Sequence, residues 1–109
     1  MRMAPFDFQV LDWQNISRES HAGETGVAYW QTFFVNDIRV RKVEYSPGYR
    51  ADHWCEKGHV ILCLEGVLTT ELADGRFMTL SPGMTYFVGD HSQAHRSVSE
   101  QGCKLFIVD

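Results

Sequence analysis

Short runs of strand-forming residues, separated by turn residues, extend along most of the chain. The main runs are VAYWQTFFV, IRVRKVEY, HVILCLEG, VLTTELA, RFMTL, TYFV and KLFIV. Several alternate apolar and polar positions with period two, the pattern of a strand with one buried face. Turn signals recur at intervals of mostly about 8–10 residues, which is typical of an all-β sandwich or barrel. The pattern predicts one short helical turn, near Gln14–Glu19, and otherwise strands.

The strongest local signal is the pair Asp74-Gly75, between VLTTELA and RFMTL. Both central residues of a type I′ turn take positive φ, which Asp-Gly pairs tolerate. The pair therefore predicts an antiparallel hairpin closed by a type I′ turn. Residues 1–26 carry less regular signals, and we expect them to form an amino-terminal arm or an edge segment that ends in a loop at 23–26.

Length and charge restrict the classes of protein that fit this pattern. At roughly 150 residues per domain, the 109 residues predict a single domain, residues 1–109. The formal net charge is −4, from 10 Lys plus Arg against 14 Asp plus Glu. A chain with this charge is not expected to present a broad basic surface for nucleic acid. No apolar run approaches the roughly 20 residues of a membrane-spanning helix, and the first residues lack a signal-peptide pattern. We expect a cytoplasmic protein without nucleic-acid or membrane partners.

Three cysteines are an odd number, which argues against a disulfide framework. Cys63 lies inside the apolar run VILCL and is expected to be a small buried hydrophobe, and Cys103 is expected to pack as well. Cys55 differs from both, because it stands between two histidines, His53 and His59.

The histidines carry the chemical signal of the sequence. Residues i and i+2 of an extended strand point to the same side, so His53 and Cys55 are expected to face the same way. A turn at Lys57-Gly58 would return His59 to their side, and a further strand would bring His95 there. Imidazole and thiolate suit zinc, iron, copper or nickel rather than magnesium or calcium. The predicted metal ligands are His53, Cys55, His59 and His95.

Two other histidines are placed outside this set. His91 lies beside Gly89-Asp90 and is expected in a loop, as the reserve ligand for His95. His21 stands alone and is expected to be an ordinary surface or structural residue.

Two segments of the chain, residues 48–66 and residues 83–95, resemble the two motifs of the cupin superfamily. The first family motif, G-x5-H-x-H-x3,4-E-x6-G, is matched by Gly48-x4-His53-x-Cys55-x3-His59-x6-Gly66. The second, G-x5-P-x-G-x2-H-x3-N, is matched more loosely from residue 83 to residue 95. The sequence Asp-His-Trp-Cys at 52–55 is also similar to that of the small cupins named for a motif of Asp, His, Cys and Trp. The resemblance covers about residues 39–108.

The resemblance implies an all-β fold, a small single-domain jelly-roll β-barrel with mostly antiparallel strands. It implies the four ligand positions but not the family's ligand set, because Cys55 replaces a histidine and His59 replaces a glutamate. A thiolate ligand shifts the expected divalent metal towards zinc or iron, with nickel and copper as alternatives. Three roles of Cys55 remain possible: a fourth metal ligand, a reactive thiol beside the metal, or a packing residue.

The surroundings of the motif suggest how a ligand is held. Arg39 and Arg41 share one face of a strand, where they either bind a carboxylate substrate from inside or form a solvated face. Tyr86 is expected to form part of the pocket wall. Asp52 or Glu56 either orients a ligand imidazole or is a solvated carboxylate.

Two functions follow as hypotheses, together with a third without a metal. The first is a metal-dependent enzyme acting on a small organic substrate in the barrel, anionic or oxygenated, since oxygenases, isomerases and lyases occur in the superfamily that the chain resembles. The alternative is a non-catalytic ligand-binding or sensing protein with a structural metal, and the third is a metal-free cupin with sugar or carboxylate specificity. Exposed edge strands and the amino-terminal arm favour a homodimer in each case.

Overall fold

The computed structural model describes residues 3–109, which form ten strands and one short 3-10 helix. The 3-10 helix spans Trp13–Asn15, and a hydrogen bond from the Gln14 amide to the Asp12 carboxylate caps its start. It occupies the first part of the helical turn predicted at 14–19. The strands are β1 Glu19–Ala22, β2 Val27–Val35, β3 Ile38–Tyr45, β4 Tyr49–Arg50, β5 His59–Gly66, β6 Leu68–Leu72, β7 Phe77–Leu80, β8 Thr85–Val88, β9 His95–Ser99 and β10 Cys103–Val108.

All strand pairs are antiparallel, and they form two sheets. The larger sheet has six strands in the order β1-β2-β3-β10-β5-β8, and the smaller has four in the order β4-β9-β6-β7. The core lies between them: Val43, Ile61 and Leu105 come from the larger sheet, and Leu68 and Leu80 from the smaller. The predicted all-β jelly-roll architecture is confirmed.

Strand β10 lies in the middle of the larger sheet because its inward apolar side chains pack between apolar side chains of both neighbouring strands, β3 and β5. Leu105 is opposite Val43 of β3 and Cys63 of β5, and all three are at most 2% exposed. Cys103 is buried as well, at 5%, and the three cysteines are free thiols. The predictions for Cys63 and Cys103 are therefore confirmed.

The predicted hairpin at residues 74–75 exists, but its turn differs from the prediction. β6 pairs with β7, and Gly75 has a φ of 94° whereas Asp74 is not in the positive-φ region. The Gly75 amide donates to the Leu72 carbonyl, and the Leu72 amide donates to the Arg76 carbonyl. A single left-handed glycine thus closes the loop, as in longer hairpin loops, so the type I′ prediction is wrong.

The segment before β2 is held at one end of the larger sheet. Gln31 of β2 donates from Nε2 to the carbonyl oxygens of Trp13 and Ile16, and the Trp13 ring lies edge-on to Phe106 of β10. β1 then pairs with β2 as the outermost strand. Within residues 3–109, no helix has the length and apolar character that crossing a membrane requires.

Leu105 gives a direct test of this core. Leu105→Ala is expected to lower the free energy of unfolding by about 2–5 kcal/mol, because it leaves a cavity between the central strands of the larger sheet. Chemical denaturation measures the change. The matched control is Phe77→Ala, at a side chain that is 62% exposed, which we expect to cost less than about 1 kcal/mol. Equal losses in both variants would contradict the assigned core.

Candidate metal centre

Three predicted ligands come together where the two sheets meet. The candidate donor atoms of Cys55, His59 and His95 all lie within 4.8 Å of one another. His59 is the first residue of β5 in the larger sheet, and His95 is the first residue of β9 in the smaller one. Cys55 lies in the segment between β4 and β5. The cluster is half-buried to buried, and it therefore lies in a partly dry environment.

A backbone pair brings Cys55 to His95. The Cys55 amide donates to the His95 carbonyl at 2.8 Å, and the His95 amide donates to the Cys55 carbonyl at 3.0 Å. Residues directly opposite each other in an antiparallel pair project their side chains to the same side. The thiol is thus held beside the imidazole although Cys55 is outside the regular strands.

The two imidazoles face each other through their Nε2 atoms, which are 2.8 Å apart. His95 has its Nδ1 atom 2.8 Å from the Gln93 carbonyl oxygen, so Nδ1 carries the hydrogen and Nε2 keeps its lone pair. His59 Nδ1 lies 3.5 Å from Asp109 Oδ2 and has no hydrogen-bond partner of good geometry in residues 3–109. Two lone pairs at this distance repel unless a proton or a cation lies between them.

A divalent transition metal fits this arrangement. Two nitrogens bound to one tetrahedral zinc at about 2.0–2.1 Å lie roughly 3.3 Å apart, and the observed 2.8 Å is within a small ring movement of that distance. One thiolate and two imidazoles form a donor set that zinc and iron accept and that magnesium and calcium do not.

The protonation of the cluster also suits a metal. A hydrogen bond with His95 lowers the pKa of the Cys55 thiol against the opposing effect of burial, and the same hydrogen bond raises the pKa of His95. Burial lowers the pKa of His59, which keeps that ring neutral. Metal binding requires a thiolate and neutral imidazoles, so it would displace the proton of the Cys55 thiol.

Asp109 is the orienting carboxylate that the sequence analysis missed. Its carboxylate is fully buried and accepts three hydrogen bonds: from Arg39 Nε at 2.9 Å, from Arg39 Nη2 at 3.0 Å and from Arg41 Nη2 at 3.1 Å. Burial alone would raise the pKa of Asp109, but the nearby His59 ring, the hydrogen bonds from Arg39 and the charge of Arg41 hold that pKa well below its usual range. A permanently charged carboxylate behind a ligand imidazole is a common feature of metal sites.

His53 is not brought into the cluster. Its side chain is 76% exposed, and its Nδ1 atom lies 2.6 Å from Asp52 Oδ1. The reason is local: β4 ends at Arg50, and the chain bends at 52–53. The two-residue periodicity of a strand, from which His53 and Cys55 were expected to face the same way, does not apply across a bend.

The other predicted residues have varied positions. Arg39 and Arg41 face inward, as one of the two readings expected, but the carboxylate that they bind is Asp109 of the same chain. Tyr86 is near the cluster, with its hydroxyl 3.3 Å from His59 Nε2. His91 is exposed in a turn with a φ of 56°, and its amide donates to the Glu56 carbonyl.

A cavity of about 440 Å³ adjoins the cluster on the side of Tyr86 and His95, between β6, β7 and β8. Its wall is mostly apolar. The Thr70 hydroxyl in that wall is buried and has no hydrogen-bond partner of good geometry in residues 3–109. A second cavity, of about 430 Å³, lies on the opposite side of His59, against Asp109. His59 and Asp109 line this second cavity, whereas Tyr86 and His95 line the first one.

The role of Asp109 can be tested through stability. Asp109→Asn is expected to lower the free energy of unfolding by about 3–5 kcal/mol, because it leaves the buried Arg41 guanidinium without a counter-charge. The matched control is Asp74→Asn, which removes an exposed carboxylate from Arg76 and should cost far less, because water screens exposed ion pairs. Denaturation of the two variants side by side would contradict our assignment if both losses were small.

Known structures provide an independent comparison. No family model and no curated protein matches the chain. A protein from Neisseria meningitidis is 26% identical over 72% of this chain and 79% of that chain, with a TM-score of 0.60. An RmlC-like cupin from Shewanella frigidimarina is 21% identical, with 97% and 89% covered and a TM-score of 0.72. A predicted oxalate decarboxylase from Thermotoga maritima is 14% identical, with 92% and 96% covered and a TM-score of 0.77.

These likenesses extend over most of each chain. The finer resemblance to the small cupins with an Asp, His, Cys and Trp motif stays a prediction. The resemblance to the superfamily is confirmed at the level of the fold, and the chain is a protein with the cupin fold.

Proposed function

We propose that the protein binds one divalent transition metal through Cys55, His59 and His95, and that the metal acts on a small organic substrate in the adjoining cavity. The observation that carries this proposal is the 2.8 Å approach of two imidazole Nε2 atoms beside a thiol. Three protein ligands leave an open position on a tetrahedral metal, which is the usual arrangement of catalytic rather than structural sites.

The chain's own residues then have distinct tasks. Asp109 and the Gln93 carbonyl hold the two imidazoles with Nε2 directed inward. The Tyr86 hydroxyl, 3.3 Å from His59 Nε2, stands where it can hold a substrate oxygen, and burial raises the pKa of Tyr86, so it acts as a donor rather than as a base. When bound, the metal would supply a Lewis acid that polarises such an oxygen.

The cavity wall favours an uncharged substrate. Among the residues that line it, Arg76 is the one side chain of permanent charge, and Asp74 already neutralises that guanidinium at 2.9 Å. The inward guanidinium groups of Arg39 and Arg41 are engaged by Asp109. A mostly apolar molecule with an oxygen at one end fits this wall, because the unpartnered Thr70 hydroxyl can hydrogen-bond to it.

Similar structures include an ectoine synthase, a sugar phosphate isomerase, a predicted oxalate decarboxylase and a variant of an oxalate decarboxylase. These names describe different substrates, so the shared fold does not select a reaction for this chain.

A non-catalytic binding or sensing role is the second candidate. No aspartate or glutamate lines the apolar cavity in the described part of the chain, and a reaction that needs a carboxylate base would lack one there. A bound molecule would then be recognised rather than converted. Turnover under metal-loaded conditions separates the two candidates.

Metal affinity tests the ligand assignment. Each of Cys55→Ser, His59→Ala and His95→Ala is expected to weaken zinc binding more than about 100-fold, a larger effect than the 10–100-fold typical of orienting residues. Competition with a chromophoric chelator, under reducing conditions, measures the affinity.

His53→Ala is the matched control for these variants and also tests the four-ligand set predicted from the motif. We expect it to retain zinc affinity within about threefold, since its ring is exposed and exposed groups contribute little. A loss as large as that of His59→Ala would place His53 in the ligand set. Full retention of zinc by all three ligand variants would remove the metal proposal.

The substrate class has its own test in metal-free protein, where no metal can attract an anion. Benzyl alcohol is expected to bind at least tenfold more tightly than benzoate, a probe of the same size with a carboxylate. NMR chemical-shift titration measures both. Thr70→Val should weaken the binding of benzyl alcohol by about 0.5–1.5 kcal/mol, the net value of a hydrogen bond. Tighter binding of benzoate would overturn the uncharged class while leaving the metal site intact.

A further inference from the structure

One row of side chains extends from the core to the mouth of the apolar cavity beside the candidate metal centre. Alternate residues of a strand share one face, so Leu80 and Met78 of β7 and Arg76 directly before it face the same side. The ladder continues to Arg76, because the Leu72 amide donates to its carbonyl. All three side chains of the row line the cavity. Leu80 is 5% and Met78 43% exposed, and the Arg76 side chain is 58% exposed, so Arg76 lies at the mouth.

Asp74, in the loop before this row, holds Arg76 by three contacts. Asp74 Oδ1 accepts from the Arg76 amide at 3.1 Å, and Asp74 Oδ2 accepts from Arg76 Nε at 2.9 Å and lies 2.9 Å from Nη2. Gly75 stands between the two residues and closes the loop with a φ of 94°. Most exposed ion pairs join two flexible side chains and contribute little. Here the carboxylate also binds the backbone of its partner, which keeps it beside the guanidinium.

This pairing limits what the guanidinium at the mouth can bind. A free arginine attracts a carboxylate, with which it forms two parallel hydrogen bonds. Arg76 already directs Nε and Nη2 to Asp74, and a second carboxylate would be repelled by the first. Such a repulsive element contributes to specificity as much as an attractive contact does. Asp74 is not among the residues that line the cavity, so it acts through Arg76 as a positioning residue.

We propose that Asp74 determines the charge preference of the cavity, by engaging a guanidinium that would otherwise bind the carboxylate of an acidic ligand. The inference rests on the proposed function, because it concerns the molecules that enter the cavity assigned there to the substrate. With Asp74 ionised, the cavity takes an uncharged, mostly apolar molecule. With a neutral residue at position 74, the same cavity takes an apolar monocarboxylate, whose charged group lies at the mouth beside Arg76.

Asp74→Asn tests the proposal in metal-free protein, with benzoate and benzyl alcohol as probes. Asparagine keeps an oxygen that can accept from the Arg76 amide, so the loop is expected to fold as before, but the negative charge is lost. Benzoate should bind about fivefold more tightly than to the wild type, the upper value for an exposed ion pair, while the affinity for benzyl alcohol should stay unchanged. NMR chemical-shift titration measures both affinities, and the benzoate-induced shifts should be largest at Arg76 and Met78.

Two further variants separate the guanidinium from a general change of charge. Adding Arg76→Gln to Asp74→Asn should abolish the gain in benzoate affinity, because no guanidinium is left to bind the carboxylate. Glu65→Gln is the matched control, at an exposed carboxylate that lies 3.4 Å from Lys104 and does not line the cavity. It removes the same single charge from the chain and should leave the affinities for both probes unchanged.

An unchanged benzoate affinity in Asp74→Asn would overturn the inference. A gain that survives Arg76→Gln, or that Glu65→Gln equals, would overturn it as well. These three results leave the proposed function intact as long as benzyl alcohol binds to the wild type. Failure of the cavity as the substrate site has a different signature, because the wild type and Asp74→Asn would then bind neither probe, and the inference would fall with it.

Discussion

A buried carboxylate connects the frame of the larger sheet to the candidate site. Asp109 follows β10, and its partners come from the two neighbours of that strand: Arg39 and Arg41 on β3, and His59 on β5. The charge is balanced inside the protein rather than in water, so the position of the carboxylate is determined by two guanidinium groups. The orientation of the His59 ring depends on that position.

The site itself depends on two sheets meeting. β5 brings His59 from the larger sheet, β9 brings His95 from the smaller one, and the Cys55–His95 backbone pair adds the thiol. A proton or a cation between the facing Nε2 atoms stabilises this arrangement, and a divalent metal bound to both atoms would do so. The cavity beside them is mostly apolar and includes the buried Thr70 hydroxyl, so the same few strands position both the donor cluster and the space for a ligand.

Local patterns were sufficient to predict most of the fold. The runs at 27–35, 38–45, 59–66 and 85–88 coincide with strands, because each combines β-branched or aromatic residues with turn signals at both ends. β1, β4 and β9 are short and mostly polar, and they form through pairing with neighbours. The strand-forming runs did not indicate them: β1 was expected only as an edge segment, and β9 only as a strand that carries His95. The type I′ turn failed because a pair of residues suits more than one hairpin loop.

The candidate site was harder to predict from the sequence than the fold was. His59 and His95 come together as expected, but His53 required an extended chain where a bend occurs. Asp109 could not be found, since its importance arises from two arginines about 70 positions away. The one available signal was the pair Arg39 and Arg41 on one face of a strand. It indicated a carboxylate partner, but not whether that carboxylate belongs to a substrate or to the chain itself.

X-ray absorption spectroscopy at the zinc edge tests the central claim most directly, on protein loaded with one equivalent of zinc under reducing conditions. We expect one sulfur at about 2.3 Å and two imidazole nitrogens at about 2.0–2.1 Å, with an additional light ligand. A first shell without sulfur, or one built from three imidazoles, would contradict the account.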